Sequence, residues 1–507
     1  MKIKSLFKNS FFSLLSQLVL LLFGFLSQRA MNLYMGTELV GMNGVISNVI
    51  AMLSVTELGI STAIVYHLYS ALVNRDEQEI AALMNLYRKA YYLFSIILAV
   101  LGLVITPFVH LFMKNESYSI GYVRVLYLLW LFRTVISYPL SYKKSLLIAD
   151  QNEYVVSVVT ILTNIIGYSA IILFVTFTGS YLPALVAGII GDTVLNLWVN
   201  RYVDRKYPFL VQMRKEQPKK ELVSKIFNDL KNVFVSKLSM NLLNSTDNLI
   251  ISGCIDVATV GLFNNYGLIT RSVSNIIRAL ATSIQPGIGN LFVEKNYEKD
   301  YQVLRQMTFL FFLIVAVAAS GLYVLIDAFV RDIWLNDSFL LDKMSVILAV
   351  TVCVLFGIGQ PIAVVMGVSG LFNKEKKLSI ITAVVNLVVS FALVMPFGTA
   401  GVLLGTCLSH LIQIMYRIVV FFNEYIKRDA KRYLFDLIEY IILIVIEVCL
   451  SKVVIGVFYA KSIVTFLIGI VVCIVIPMSI NLFFFRKSNR FKSVTQLFIS
   501  APNSLKN

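Results

Sequence analysis

The chain has 507 residues, of which 58% are hydrophobic and 14% are charged, and its mean hydropathy is +0.80. Soluble domains are about 45–50% apolar and about 25% charged, so this composition excludes a soluble globular protein and indicates a polytopic membrane protein. The excess of 44 Lys and Arg over 28 Asp and Glu residues favours a basic membrane rim over nucleic-acid binding, which requires a basic face on a soluble fold.

Fourteen apolar segments are long enough to cross about 30 Å of hydrocarbon, which takes about 20 helical residues. The first segment follows a basic start, as in a signal peptide, but no small-residue cleavage site follows it, so we interpret it as an uncleaved helix. The sequence predicts an all-α membrane protein of about 14 transmembrane helices. These spans lie near 11–35, 38–66, 88–113, 119–142, 154–177, 181–200, 232–253, 257–283, 306–330, 344–368, 378–397, 399–421, 434–458 and 462–485.

Basic residues lie mainly on one side of these spans when the N-terminus is placed in the cytoplasm. The bases that fall in predicted outer loops are Lys114, Arg331, Lys343 and Lys461. By the positive-inside rule, both termini are expected to be cytoplasmic. The basic segment 201–231 is then cytoplasmic, where we expect it to act as a retention signal and a tether over anionic lipid.

An internal repeat relates the two halves of the chain. "KNSFFSLLS" (8–16) resembles "KNVFVSKLS" (231–239), and the Val-Gly pair at 40–41 recurs at 260–261. Both copies start on the cytoplasmic side, which predicts two parallel, pseudo-symmetric lobes of six helices that place a substrate at their interface. The predicted regions are an N-lobe (1–200, helices 1–6), a basic linker (201–231), a C-lobe (232–422, helices 7–12), and helices 13–14 with a cytoplasmic tail (423–507).

Polar residues form stripes on several predicted spans. In span 8 the stripe lies within about 60° of one face at 100° per residue, and it contains Asn264, Arg271, Asn275, Arg278 and Thr282. Span 7 carries Lys237, Asn241, Asn244 and Asn248 on one face, with Asp247 off that line, and span 2 carries Asn43, Ser47, Ser54, Glu57 and Ser61. Because ionisable groups are costly toward lipid, these stripes are expected to face a water-filled cavity.

The bases in the spans favour an anionic substrate. They outnumber the acids, and a guanidinium presents a donor fork that suits phosphate. Arg133 is the deeper of two arginines in span 4, and Arg271 lies about 20 Å below the outer boundary at 1.5 Å per residue. The alternative for Arg271 is a structural ion pair with an acid such as Asp247. Arg278 and Arg417 lie near the inner boundary, where snorkelling to headgroups is the alternative.

The sequence lacks the patterns of catalytic and metal sites, including the nucleotide-binding P-loop, the hydrolase nucleophile elbow and the zinc-protease motif. His67, His110 and His410 are isolated, and the five cysteines are scattered in apolar runs. We therefore expect no enzyme activity, no metal and no cofactor. Coupling of transport to H⁺ or Na⁺ is left open.

Four segments carry a family resemblance: "GTELVGMNGVISNVIAMLSVTELGISTAIVYHLYSAL" (36–72), "AALMNLYRKAYY" (81–92), "SYKKSLLIADQNEY" (141–154) and "TDNLIISGCIDVATVGLFNNY" (246–266). They resemble the Wzx-type flippases, which are polysaccharide transporters of the multidrug/oligosaccharidyl-lipid/polysaccharide exporter superfamily. The resemblance implies fourteen helices, a cationic cavity and alternating access in a bacterial cytoplasmic membrane. The implied cargo is an undecaprenyl-pyrophosphate-linked oligosaccharide for surface polysaccharide synthesis.

The resemblance also implies site residues and partners. Arg29 matches a basic position of span 1, Glu57 belongs to the second-span motif, and Asp247 matches the acid of the "TDN" motif. The expected partners are the lipid-linked anionic oligosaccharide, membrane lipids and polysaccharide polymerase machinery. With the stripes, the predicted cavity residues are Arg29, Glu57, Arg133, Lys237, Asn241, Asn244, Asp247, Asn264, Arg271, Asn275 and Arg278.

Two alternatives belong to the same superfamily. A peptidoglycan lipid II flippase shares the fourteen helices and the basic cavity. A multidrug cation antiporter relies on acidic groups in its N-lobe, whereas span 1 here has no acid. This difference counts against the drug exporter.

Overall fold

The computed structural model describes residues 3–54, 60–114, 117–219, 245–292, 296–458 and 461–488, with a few isolated positions. These residues form helices and turns without a β-strand. The first helices are α1 (Ile3–Leu53), α2 (Ile60–Val73), α3 (Glu77–Ile105), α4 (Ile120–Ser141), α5 (Lys144–Ala149), α6 (Glu153–Thr178), α7 (Leu182–Lys206) and α8 (Phe209–Gln212). The later ones are α9 (Val257–Phe292), α10 (Tyr297–Ala328), α11 (Lys343–Ile358), α12 (Gln360–Val368), α13 (Phe372–Phe397), α14 (Thr399–Val420), α15 (Lys431–Phe458) and α16 (Ile463–Phe485).

Short polar side chains begin several of these helices. Asp76 accepts a hydrogen bond from the Glu79 amide at 2.9 Å before α3, and Asp342 does the same for the Ser345 amide at 2.9 Å before α11. Such caps satisfy amide groups that have no partner within the first helical turn. They fix where the apolar helices begin.

Eleven helices among the described residues are long and apolar enough to cross a membrane. Predicted span 1 and the first part of predicted span 2 lie in α1, whose helical backbone is interrupted by a kink at Gly36, where φ is 80°. Predicted span 8 corresponds to α9, which is long but falls outside the eleven because polar residues interrupt its apolar sequence. Most of predicted span 7 lies outside the described residues. The prediction of an all-α polytopic membrane fold is confirmed.

The chain forms two compact units, Met1–Gly261 and Leu262–Asn507. In the first unit α6 packs on α1 and α7, and α4 packs on α3 and α7. In the second unit α10 packs on α11, α15 and α16, and α14 packs on α11 and α13. The predicted lobe boundaries remain a prediction.

A buried aromatic cluster anchors α15 and α16 to α10. Phe312 of α10 stacks on Tyr440 of α15 with a centroid separation of 4.4 Å, and Phe485 of α16 lies edge-on to Phe312 at 6.0 Å. Aromatic pairs with these offset or edge-on geometries contribute about 0.5–1.5 kcal/mol beyond their buried area. The last two helices therefore belong to the packed core of the second unit.

Two glycines of the repeated Val-Gly pair permit a direct backbone contact. A Cβ added at Gly41 would lie 1.9 Å from the carbonyl oxygen of Val257, and one added at Gly261 would lie 2.0 Å from that of Thr37. The contact is reciprocal, because Thr37 corresponds to Val257 and Gly41 to Gly261 at the same offset of 220 positions. The repeated sequence thus produces a repeated packing geometry where α1 leaves its bend and α9 begins.

We expect alanine at either glycine to destabilise the protein, because the added methyl group meets backbone that cannot rotate away. Overpacking of this kind costs about 1–3 kcal/mol. The matched control is Gly167→Ala in α6, where an added Cβ meets nothing within 4 Å. Thermal unfolding in detergent should show a lower midpoint for Gly41→Ala and Gly261→Ala than for the control. Identical midpoints for all three variants would refute the close contact.

Candidate functional site

Three helices of the first unit, α1, α4 and α7, contribute side chains to one polar group. Both Nε and Nη2 of Arg133 on α4 lie 2.6 Å from Asp192 Oδ2 on α7. The guanidinium carbon lies 5.4 Å from the ring centroid of Trp130, whose Nε1 donates a hydrogen bond to Asn43 Oδ1 of α1 at 3.0 Å. This group joins a member of the predicted span 2 stripe to the predicted cavity residue Arg133.

The Arg133–Asp192 pair is largely withdrawn from solvent. The side chains are 30% and 15% exposed, respectively. Asp192 Oδ1 and Asn43 Nδ2 are buried without a hydrogen-bond partner among the described residues. The charge of Arg133 is therefore balanced, while one acceptor and one donor beside it remain available to a further polar group. Asp192 was missed as a site residue because nothing in the sequence spacing links it to Arg133.

In the second unit, helix α9 presents most of its predicted stripe on an exposed face. Arg271, Asn275 and Arg278 are exposed, whereas Asn264 is only 8% exposed. The Arg271 guanidinium folds back over Gly267, where an added Cβ would lie 2.8 Å from one of its nitrogens. Glycine at this position leaves room for the arginine head group against the helix. The stripe therefore divides into a buried amide and an exposed cationic stretch.

Arg278 and Arg417 have different surroundings near one end of the second unit. The Arg278 guanidinium lies over the ring of Phe356 at 5.0 Å from its centroid, which is a cation–π geometry. Arg417 donates from Nε and Nη2 to the two carboxylate oxygens of Glu375, at 2.8 and 3.0 Å. Arg417 is thus fixed in a bidentate ion pair between α13 and α14 rather than extended toward headgroups.

Two acids in the second unit lack a basic partner in the described structure. Asp327 accepts a hydrogen bond from the Tyr266 hydroxyl at 2.6 Å. Glu447 on α15 is fully buried, and neither of its carboxylate oxygens has a hydrogen-bond partner among the described residues. An isolated carboxylate is costly to bury.

The remaining predicted site residues are distributed as follows. Arg29 is exposed on α1, and Asp247 is half-buried in the helical stretch 245–254. Glu57, Lys237, Asn241 and Asn244 lie outside the described residues. No cluster of His, Cys, Asp and Glu in the described part of the chain has the size of a metal site.

The family of the chain follows from its sequence. Residues 6–292 match the model of a family described as polysaccharide biosynthesis proteins, which covers more than half of the chain. The chain belongs to this family. No curated protein matches it by sequence.

Several solved structures with a similar fold are described as transporters. One is described as the lipid II flippase MurJ in an inward closed conformation, with 15% identity, a TM-score of 0.65, and coverage of 94% of this chain and 98% of that one. Another is an inward-facing multidrug resistance MATE family transporter of the MOP superfamily, with 16% identity, a TM-score of 0.62, and coverage of 78% and 92%. At such identities the likeness establishes the shared fold alone.

A third structure concerns the charge of a binding pocket. It is a MOP superfamily transporter from Pyrococcus furiosus, described as having a binding pocket of reverse polarity that suggests a different function. It shares 15% identity with this chain, with a TM-score of 0.55 and coverage of 84% of this chain and 97% of that one.

We expect Arg133 and Asp192 to be coupled in stability. Removing one partner by Arg133→Ala or Asp192→Ala leaves a buried charge and should cost about 3–5 kcal/mol, whereas the double variant Arg133→Ala/Asp192→Ala should recover part of the loss. The control is Arg428→Ala, which breaks an exposed pair with Glu298 and should cost about 0–1 kcal/mol. The measurement is the thermal midpoint and yield of purified protein. If Arg133→Ala is as stable as the control, Arg133 does not serve the fold.

Proposed function

We propose that the protein is a flippase. It moves undecaprenyl-pyrophosphate-linked oligosaccharide repeat units from the cytoplasmic to the outer leaflet, by alternating access, for the synthesis of a surface polysaccharide. The observation that carries this proposal is membership of the polysaccharide biosynthesis family across residues 6–292. The fold shared with a structure described as a lipid II flippase supports it.

The exposed face of α9 supports an anionic cargo. Arg271, Asn275 and Arg278 are exposed along it. A guanidinium donates two parallel hydrogen bonds to a phosphate group, whereas an ammonium acts as a point charge. We assign recognition of the pyrophosphate to Arg271 and Arg278, and contacts with sugar hydroxyls to Asn275.

Two arginines that the sequence analysis singled out form ion pairs within the structure. Arg133 and Arg417 are each matched by a carboxylate, so their charges are compensated before any substrate arrives. Arg271 and Arg278 have the exposure that a cargo would need. We therefore place Arg133 in a supporting role, beside the unpartnered donor and acceptor of Asn43 and Asp192.

The same ion pair argues against a drug exporter. A cation antiporter of this fold needs an acid in its N-lobe to bind the coupling ion. Asp192, an acid of the first unit, is paired with Arg133 at 2.6 Å. A lipid II flippase remains the second candidate, because the lipid II flippase structure covers 94% of this chain.

The remaining parts of the proposal concern placement and partners. Both termini lie in the cytoplasm of a bacterium, as the distribution of basic residues predicts. The lobes 1–200 and 232–422 move relative to each other during transport. The flipped repeat unit passes to polysaccharide polymerase machinery, and H⁺ or Na⁺ supplies the coupling.

The test is a deletion strain complemented with variants. The deletion is expected to lose a surface polysaccharide and to accumulate its lipid-linked repeat unit on the cytoplasmic side, measured by mass spectrometry of extracted lipids. Wild-type protein should restore the polysaccharide, Arg271→Lys should restore it partially, and Arg271→Ala should fail at normal membrane levels. The reason is that lysine keeps the charge but loses the donor fork.

The control variant is Arg428→Ala, which removes an exposed guanidinium that forms an ion pair with Glu298. It should complement fully. Accumulation of lipid II with loss of viability would favour the second candidate. Normal surface glycan together with sensitivity to cationic dyes would refute the flippase. Low membrane levels of Arg271→Ala would indicate that Arg271 supports the fold and does not bind the substrate.

A further inference from the structure

A basic cleft lies in the first unit, away from the residues that the proposed transport uses. Its volume is about 160 Å³, and it is lined by Arg88 of α3, by Tyr142 and Lys143 between α4 and α5, and by Asp204 and Arg214 at and beyond the end of α7. By the predicted topology this end of the unit faces the cytoplasm. The proposed flippase mechanism gives these residues no role.

One side of the cleft is formed by residues of the basic segment 201–231, which the sequence predicts to be a tether. The Asn85 amide donates hydrogen bonds to the carbonyl oxygens of Met213 and Glu216 at 2.9 and 3.0 Å. Arg88 Nη2 donates to the carbonyl oxygen of Arg214 at 3.3 Å. These bonds fix residues 213–216 against the first turns of α3. This part of the linker is therefore held in place against α3. A second cavity of about 300 Å³ lies beside it and is lined by Lys89 and Glu216, among other residues.

The charges in the cleft are unbalanced. Lys143 Nζ lies 2.5 Å from Asp204 Oδ1, so these two groups compensate each other. Arg88 and Arg214 have no carboxylate within 4 Å in the described part of the chain. Two guanidinium groups with donors to spare therefore line a small cleft.

Tyr142 adds a third donor. Its side chain is 9% exposed and lines the cleft. Burial raises the pKa of Tyr142 to about 12. Arg88 and Arg214 oppose this increase, whereas Asp204 adds to it. The hydroxyl therefore keeps its proton at neutral pH and can donate it in a hydrogen bond.

We propose that this cleft binds a phosphoryl group. Two guanidinium groups and a tyrosine hydroxyl in its lining supply hydrogen-bond donors, and the one lining carboxylate is paired with Lys143. Phosphate oxygens are acceptors that match this set, and charge-assisted hydrogen bonds to them are stronger than neutral ones. The volume is about five times that of a water molecule in the liquid, roughly 30 Å³, which admits a phosphoryl group. The group belongs either to an anionic phospholipid of the inner leaflet or to a soluble phosphate compound.

Binding there would couple the linker to the membrane surface. A phosphoryl group held by Arg88 and Arg214 joins α3 to the segment that follows α8, in addition to the three backbone-directed hydrogen bonds. A ligand that binds only the folded arrangement stabilises it in proportion to its concentration. The site stands independently of the proposed cargo, because no residue of the α9 face contributes to it.

The experiment uses the purified full chain in nanodiscs and measures the midpoint of thermal unfolding. One arm titrates inorganic pyrophosphate with phosphatidylcholine discs, and the other increases phosphatidylglycerol in the discs without pyrophosphate. We expect a rise in the wild-type midpoint in at least one arm. In Arg88→Gln/Arg214→Gln, the concentration for half of the effect should increase at least about tenfold, as expected for loss of charged hydrogen bonds.

The matched control is Arg205→Gln/Lys215→Gln, which removes two exposed bases from the same region but none from the cleft lining. It should respond as wild type does. Tyr142→Phe removes only the hydroxyl and should weaken the response about two- to tenfold, which keeps the test valid if the double arginine variant fails to fold.

The two arms distinguish the source of the phosphoryl group. A response confined to pyrophosphate identifies a soluble ligand, and a response confined to phosphatidylglycerol identifies a lipid headgroup. The proposal is overturned if wild type responds to neither probe. It is also overturned if the cleft variants respond like wild type, or if the control loses the response to the same extent, since surface charge alone would then explain it.

Discussion

An ionised side chain within a membrane must find a counter-charge or water, and this constraint organises the described structure. Three arginines satisfy this constraint by forming ion pairs with carboxylates on neighbouring helices. Arg133 pairs with Asp192 in the first unit, and Arg305 with Asp436 and Arg417 with Glu375 in the second. Each pair joins two different helices, so the groups that are most costly to expose to lipid also hold helices together. Such a pair is hard to break from one side, because the charge left behind remains buried.

The arginines of helix α9 have different surroundings. Its arginines at 271 and 278 are exposed, with one head group against Gly267 and the other over Phe356. We assign these exposed guanidinium groups to recognition of the phosphate-bearing cargo that we propose.

The sequence predicted the helices because they depend on local patterns. Apolar length gives membrane helices, and the recurring Val-Gly pair becomes the reciprocal contact of Gly41 with Val257 and of Gly261 with Thr37. Periodicity also placed Arg271, Asn275 and Arg278 on one face. It could not reveal that Asn264 is buried, since periodicity defines a face but not what covers each part of it.

The sequence did not reveal which charged residues from distant parts of the chain form ion pairs. Asp192 lies 59 residues from Arg133, and Glu375 lies 42 residues from Arg417. Only the packing of α4 on α7 and of α13 on α14 brings these charges together. The basic linker is a similar case, because its composition suggests a solvated tether, whereas Asn85 holds residues 213–216 through their backbone carbonyls.

The most direct test of the proposed function is transport of a lipid-linked saccharide by the purified protein. Liposomes containing a polyprenyl-pyrophosphate oligosaccharide would be treated from outside with a membrane-impermeant glycosidase, and the protected inner-leaflet fraction would be measured over time. We expect that fraction to become accessible in proteoliposomes and to remain protected in protein-free liposomes. Equal protection in both preparations, with uptake of a cationic dye by the proteoliposomes alone, would contradict the flippase function.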